Sequence, residues 1–244
     1  MKPPPSRPTI QGVLFDLDGT LLDTAADLVA SANWALAEEG LPPCPLEETK
    51  PYISGGARTM LEYWLVKHVE QRPIASYPQA NIVNAVNDGL LERLMNRMLE
   101  HYQANLACHT RFFDGMEPVL ESLEDAGLPW GIVTNKQSRF TDPLAEALNL
   151  TRRTRCIISG DTTIQAKPHP LPLLTASAQL GIDPELCVYI GDAARDIEAG
   201  KRAGMATLAA LYGYIAADED VGAWGADDAL ESPGDLLSWI GELT

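Results

Sequence analysis

Basic residues are scarce in this sequence: 18 lysines and arginines stand against 34 aspartates and glutamates, giving a formal net charge of −16 at pH 7. Nucleic-acid backbones and anionic membrane surfaces repel a chain of this charge, so neither is an expected partner. Small molecules are the expected partners instead. If the substrate is an anion, a metal ion or a well-placed lysine must hold it locally.

Cysteines are also few, and long apolar runs are lacking. The sequence shows no C-x-x-C pair and no metal-ligand spacing, so we predict free, buried thiols. The four cysteines are Cys44, Cys108, Cys156 and Cys187. Residues 1–5 lead directly into a short apolar run, with no signal-peptide or membrane-span stretch. We therefore expect a cytoplasmic protein without a membrane partner, either a monomer or a homodimer.

Short apolar runs rich in β-branched residues alternate with helical patterns, which is typical of a parallel sheet covered by helices. At least five strands are predicted, at residues 10–15, 128–133, 155–158, 187–190 and 206–211. Most are followed directly by Gly, Asp, Thr or Asn, so polar groups gather at the carboxyl ends of the strands. Ligands bind at that edge in open α/β sheets. The sequence therefore predicts an α/β fold with a Rossmann-like parallel sheet.

A large insertion separates the first two predicted strands, which end at Asp16 and Thr134, whereas a plain crossover unit takes about 30 residues. Within it, apolar residues recur at helical spacing over 25–39, 57–70 and 84–105. The first two helical patterns are separated by Pro42, Pro43 and Pro45, and the later ones by the segment 72–78. We predict a helical cap at residues 24–107, over a core formed by residues 1–23 and 108–244.

The strongest chemical signal is the segment V-L-F-D-L-D-G-T at residues 13–20. Asp16 and Asp18 end a buried strand and project from one face, so one can attack while the other handles protons. Gly19 allows a sharp turn that brings backbone N–H groups close to an anion. A calcium loop is disfavoured because Leu21 stands where glycine is needed. A hairpin is disfavoured because Thr24 predicts a helix N-cap instead of a pairing strand.

Three further loops carry complementary polar groups. The Thr134 hydroxyl suits a phosphoryl oxygen, although helix capping is the favoured explanation of Thr134 and Asn135 when they are taken without the other motifs. Lys167, flanked by constrained proline backbone, can neutralise an aspartate and a phosphoryl group, and a solvated surface lysine is the alternative. Asp192 and Asp196 share one face at a helix start and can bind a hard cation, although the helix dipole alone would explain one of them.

In this order, the segments resemble the signature of the haloacid dehalogenase superfamily of phosphohydrolases. The matching motifs are D-x-D-G-T at 16–20, T-N at 134–135, K-P at 167–168 and G-D-x-x-x-D at 191–196. The helical insertion resembles the cap of the phosphoglycolate phosphatase-like branch. Segments 130–136, 211–215 and 224–227 resemble both phosphoglycolate phosphatases and N-acetylmuramic acid 6-phosphate phosphatases.

The resemblance implies a phosphatase that acts on a small phosphorylated metabolite through a phosphoaspartyl intermediate. Asp16 would be the nucleophile, and Asp18 the general acid and then the general base. Thr134, with Asn135 beside it, and Lys167 would hold the phosphoryl group and orient Asp16. The implied substrates are phosphoglycolate or a phosphosugar such as N-acetylmuramic acid 6-phosphate.

The resemblance also implies Mg²⁺ as the cofactor. A carboxylate oxygen of Asp16, the backbone carbonyl of Asp18 and the carboxylate of Asp192 would bind the ion. Asp196 would lie nearby or act through water. This agrees with the preference of a hard cation for oxygen ligands.

Substrate choice is expected to come from the cap. Gly55 and Gly56 allow a loop to approach a ligand, and Arg58 can pair with a carboxylate or phosphate, with an ordinary surface arginine as the alternative. Two other activities stay open: a phosphomutase of the same superfamily, and a phospho-receiver signalling domain, whose acidic residues follow its strands in a different order. A dehalogenase is disfavoured because Asp18 is present.

Overall fold

The structure is a computed structural model that describes residues 9–71 and 89–241, with the backbone alone described at 68–71. The described residues divide into two compact units. One contains the described residues up to 23, residues 111–213 and those from 218 on. The other contains the described residues of 24–110 together with 214–217. A short segment after the last long strand thus joins the second unit.

The first unit is built on a parallel sheet. In chain order, the strands described are β1 (Gly12–Phe15), β2 (Leu22–Asp23), β3 (Arg111–Phe112), β4 (Trp130–Val133), β5 (Cys156–Ile158), β6 (Cys187–Gly191), β7 (Ala206–Ala210) and β8 (Asp228–Leu230). Six of them form one sheet in the order β5-β4-β1-β6-β7-β8, with every neighbouring pair parallel. The α/β prediction with a Rossmann-like parallel sheet is therefore confirmed.

The order of the strands reverses beside β1. From β1 the chain moves outward through β4 to β5, then returns to the other side of β1 and moves outward again through β6, β7 and β8. Such a reversal leaves a crevice at the carboxyl ends of the central strands, where ligands bind in open α/β sheets. The loops after β1, β4 and β6 meet at this switch point.

Helices cover the sheet and build the second unit. In chain order, those described are α1 (Ala25–Glu38), α2 (Leu46–Thr49), α3 (Ala57–Gln71), α4 (Leu90–Ala104), α5 (Met116–Asp125), α6 (Ser138–Ala147), α7 (Leu150–Arg153), α8 (Leu171–Leu180), α9 (Ala194–Ala203) and α10 (Asp235–Ile240). Within the first unit, Leu173 and Ala176 of α8 and Ala199 of α9 pack with the buried strand residues Leu14 and Tyr189. This apolar contact fixes the two helices against the sheet.

The described part of the second unit contains α1 to α4 with their connections, together with residues 214–217. Its three long helices agree with the helical patterns of the sequence, although α4 begins at Leu90; residues 72–78 and 84–88 lie outside the described residues. The buried carboxylate of Asp27 in α1 accepts hydrogen bonds from the backbone N–H groups of His109 and Thr110. None of the helices among residues 9–71 and 89–241 combines the length and the hydrophobicity of a membrane-spanning helix.

The sequence-based prediction for the thiols is partly wrong. Cys44, Cys156 and Cys187 are free and buried, whereas Cys108 is free and exposed. Cys108 lies in the connection between α4 and β3, outside any helix or strand.

Candidate active site

Asp16 follows β1 at the switch point, and its environment is tightly defined. Its backbone N–H donates to Ile190 O of β6 at 2.8 Å, and its carboxylate Oδ1 accepts from the Leu17 N–H at 2.7 Å. Leu17 O then accepts from the N–H groups of Leu21 and Leu22, and Gly19 takes a φ of 84°. The sharp turn expected after the two aspartates is thus present.

The short strand β2 follows this turn directly. It pairs antiparallel with β3 and not with β1, since Leu22 lies opposite Phe112. The turn is therefore not part of a hairpin between β1 and β2. Thr24 occupies the N-cap position of α1, as the sequence indicates.

Lys167 carries its ammonium group into the centre of the site. Its Nζ lies 2.8 Å from Asp16 Oδ1 and 2.7 Å from Asp196 Oδ1, and it donates to Val133 O at 2.9 Å and to the Tyr189 hydroxyl at 2.7 Å. The side chain is fully buried, so the alternative of a solvated surface lysine is wrong. The ammonium group is thus held by two carboxylate oxygens, one backbone carbonyl and one hydroxyl.

Asn135 fixes the backbone of Lys167. Its Nδ2 donates to Lys167 O at 2.9 Å, and its Oδ1 accepts from the Lys167 N–H at 3.0 Å. Helix capping does not explain Thr134 and Asn135, because α6 begins at Ser138 with Gln137 at its N-cap. Thr134 is buried, and its hydroxyl accepts from the Lys136 N–H at 3.1 Å.

Asp16, Asp192 and Asp196 form a cluster of buried carboxylates. One oxygen from each lies within 4.8 Å of the other two, the only such candidate metal-binding group among the residues described. Asp196 is held on both sides, since its Oδ1 lies beside Lys167 and its Oδ2 accepts from the Ala193 N–H at 3.1 Å. Thr20 Oγ1 reaches Asp192 Oδ1 at 3.5 Å.

This donor set fits a hard divalent cation. Three carboxylates supply the oxygen ligands that such ions prefer. Burial raises the pKa of the Asp16 carboxyl, Lys167 opposes this effect, and the neighbouring Asp196 adds to it. An excess of negative charge is therefore enclosed where a cation would relieve it.

Two buried polar atoms near the carboxylates have no hydrogen-bond partner within the described ranges: Arg195 Nε and the Tyr212 hydroxyl. Burial first, and then the charge of Asp192, raises the pKa of Tyr212 above its ordinary value, so the hydroxyl stays neutral. Unsatisfied buried donors are rare in proteins, and they suit an anionic ligand. The site thus offers groups for a metal ion and for a phosphate.

Asp18 lies on the turn after Asp16 and has a lysine of its own. Lys136 Nζ donates to Asp18 Oδ1 at 2.8 Å and to Oδ2 at 3.1 Å. The Lys136 side chain is 7% exposed, and the Asp18 side chain is 20% exposed. Sequence reasoning assigned no role to Lys136, although it follows Thr134 and Asn135 directly. It also missed Tyr189, whose only signal was a hydroxyl within an apolar strand.

The substrate-binding residues predicted for the cap lie in the second unit. Gly56, with a φ of 92°, precedes α3, and a Cβ at Gly55 would lie 2.7 Å from Thr59 Cγ2. The close approach that glycine allows at position 55 is therefore to the side chain of Thr59. Arg58 is half exposed and pairs with Glu62 at 3.2 Å and with Glu92.

The sequence model of the haloacid dehalogenase-like hydrolases matches residues 13–210. The chain belongs to this family. The match includes the loops after β1, β4 and β6, which bring Asp16, Thr134 and Asp192 to the switch point. The resemblance noted in the sequence is thus confirmed, and the phospho-receiver alternative is wrong.

Several known proteins match nearly the whole chain. An N-acetylmuramic acid 6-phosphate phosphatase of Pseudomonas aeruginosa is 38% identical, covering 95% of both chains. A phosphoglycolate phosphatase of Xanthomonas campestris pv. campestris is 40% identical, covering 93% of this chain and 94% of the relative. The crystal structure of a predicted phosphoglycolate phosphatase from Haemophilus somnus shares the fold, with a TM-score of 0.77 and 24% identity over 95% of this chain and 98% of that one.

Proposed function

We propose that this chain is a Mg²⁺-dependent phosphatase that hydrolyses small phosphomonoesters, with Asp16 as the nucleophile. The observation that carries the proposal is the position of the Asp16 carboxylate at the switch point. It lies 2.8 Å from the buried Lys167 ammonium and belongs to the same carboxylate cluster as Asp192 and Asp196. A nucleophile, a cation and metal-binding oxygens therefore occupy one small volume.

The carboxylate of Asp16 is oriented before any substrate binds. The Leu17 N–H and the Lys167 ammonium both bond to Oδ1, which fixes the rotation of the group. A nucleophile held in one orientation loses little entropy on reaching the transition state. Lys167 can also stabilise the phosphoryl oxygens, and Thr134 and the backbone beside it can hold them.

The reaction follows in two steps. Asp16 attacks phosphorus and forms an acyl phosphate, while the ester oxygen leaves with a proton from Asp18. Asp18 then takes a proton from water, whose oxygen attacks phosphorus and releases phosphate and the free Asp16 carboxylate. Asp16, Asp192 and the backbone carbonyl of Asp18 would hold Mg²⁺, and Asp196 would lie nearby or act through water. The ion would offset the repulsion between the Asp16 carboxylate and the phosphate of the substrate.

The substrate class follows from the relatives. Their names point to phosphoglycolate and to N-acetylmuramic acid 6-phosphate, both small phosphomonoesters. We propose one of these, or a similar phosphorylated metabolite, as the substrate. Residues 24–107 would form the cap that selects it, with Gly55, Gly56 and Arg58 as candidate contacts.

Phosphate release from a panel of small phosphomonoesters, with and without Mg²⁺, tests the proposal. The wild type should release phosphate only with the metal, and Asp16→Asn should be folded but inactive. Full activity in that variant would end the assignment of the nucleophile. A product isomer without net phosphate release would identify a phosphomutase instead.

A further inference from the structure

Each aspartate of the Asp-x-Asp pair has its own lysine. Asp16 is paired with Lys167, and Asp18 is paired with Lys136 through both carboxylate oxygens, at 2.8 and 3.1 Å. The two lysines come from different loops, after β4 and after β5. The proposed mechanism uses Lys167 and leaves Lys136 without a role.

Three hydrogen bonds fix the backbone of Lys136. Its N–H donates to Thr134 Oγ1 at 3.1 Å, and its carbonyl accepts from the Gly160 N–H at 2.8 Å and from Thr141 Oγ1 at 3.2 Å. The side chain is 7% exposed. The ammonium group is therefore delivered to Asp18 from an anchored turn and not from a flexible surface chain.

Asp18 needs such a partner. It lies on a turn next to Gly19, its side chain is 20% exposed, and a free carboxylate there could rotate away from the reacting oxygen. General acid catalysis requires the acid within hydrogen-bond reach of the oxygen that takes the proton. A cation bound to the carboxylate restricts this rotation, and one oxygen stays held when the other turns to the substrate.

We propose that Lys136 is a positioning residue, which holds Asp18 in the orientation needed to protonate the leaving oxygen. This inference rests on the proposed phosphatase activity. The Lys136 side chain is 7% exposed and that of Asp18 is 20% exposed, so breaking this pair is also expected to destabilise the fold. The effect that distinguishes a positioning role from a purely structural one is therefore the leaving-group dependence of the reaction.

Two substrates of similar shape, p-nitrophenyl phosphate and phenyl phosphate, distinguish this positioning role from a role in phosphoryl binding or in folding. p-Nitrophenolate leaves readily without a proton, whereas phenolate depends more strongly on the acid. Lys136→Met should lower kcat/KM for phenyl phosphate about 10- to 100-fold, and that for p-nitrophenyl phosphate less than about threefold. Lys136→Arg keeps the cation and should move the ratio of the two kcat/KM values back toward that of the wild type.

A double-mutant cycle shows whether Lys136 acts through Asp18. Asp18→Asn should reproduce the selective loss on phenyl phosphate, and adding Lys136→Met to it should cause little further loss. Lys201→Met is the matched control, because this lysine of the same unit donates to the Gly225 carbonyl outside the site. It should leave both kcat/KM values unchanged.

Several results would overturn the inference. Equal losses on both substrates would assign Lys136 to phosphoryl binding or to folding, and unchanged kinetics would leave it no role. Should Lys136→Met fail to fold, Lys136→Gln replaces it in the test, with the same two substrates and the same expected ratio of kcat/KM values. Failure of the proposed function looks different: the wild type would release phosphate from neither substrate, or Asp16→Asn would stay active.

Discussion

The ionised form of Asp16 is electrostatically unfavourable in the absence of metal, although its carboxylate pairs with the Lys167 ammonium. Burial raises the pKa of its carboxyl above the ordinary value of 3.8, Lys167 opposes the rise, and Asp196 adds to it. The folded protein therefore keeps a proton on Asp16 to higher pH than the unfolded chain does. Above that ordinary value the unfolded chain binds fewer protons, so metal-free stability falls as pH rises toward the folded pKa.

Asp16→Asn should remove this loss. We expect the metal-free variant to be more stable than the wild type at neutral pH, with a higher Tm. The difference should shrink as pH is lowered toward the ordinary pKa of aspartate. Thermal unfolding in chelator between pH 4 and 8 measures it, and a pH-independent difference would contradict the electrostatic explanation.

Asp192 is expected to bind the metal, so replacing it should weaken the dependence of protein stability on Mg²⁺. Mg²⁺ at 100 times its Kd stabilises a protein by about 2.7 kcal/mol. Asp192→Asn should lose most of the Mg²⁺-dependent rise in Tm and require more Mg²⁺ for activity. Asp125→Asn, an exposed acid of α5 in the same unit, is the control. An unchanged metal titration in Asp192→Asn would argue against its role as a ligand.

At the level of elements, the sequence predicted what depends on local pattern and missed what depends on distant contacts. The central strands were identified because apolar runs ending in polar residues mark them. β8 was missed because Asp228, Ala229 and Leu230 form only a short edge strand, buried at its last residue alone. The pairing of Lys136 with Asp18 spans 118 residues, so no local pattern reveals it. Asn135 likewise gains its partner, the Lys167 backbone, only through the fold.

The junction between β6 and α9 depends on a glycine. A Cβ at Gly191 would lie 2.3 Å from Asp196 Cβ, closer than real Cβ atoms approach one another. Gly191→Ala should therefore displace Asp196 from Lys167 and destabilise the fold by about 1 to 3 kcal/mol. Gly234→Ala, where the nearest atom is 3.9 Å away, should change little. Thermal unfolding and Mg²⁺ titration of both variants test this, and equal behaviour would show that the junction can adapt.

The whole molecule contains two compact units, and buried cysteines report on each. Cys44 lies in the second unit, and Cys156 and Cys187 in the first. Burial raises the pKa of Cys156 to about 12 and that of Cys187 to about 11. Thiolates are the reactive species, so these thiols should react with a disulfide reagent only after local or global opening.

In the native protein at pH 8, therefore, a single thiol, the exposed Cys108, should react rapidly, and all four should react in denaturant. If the units open independently, Cys44 should become reactive at a different denaturant concentration from Cys156 and Cys187, since separate units depart from two-state unfolding. Mass spectrometry of the labelled peptides across a urea series distinguishes the three buried thiols.

Mg²⁺ binds in the first unit in the proposed mechanism. It should therefore raise the urea concentration at which Cys156 and Cys187 become reactive and leave that of Cys44 unchanged. A common shift of all three would mean that the two units unfold as one.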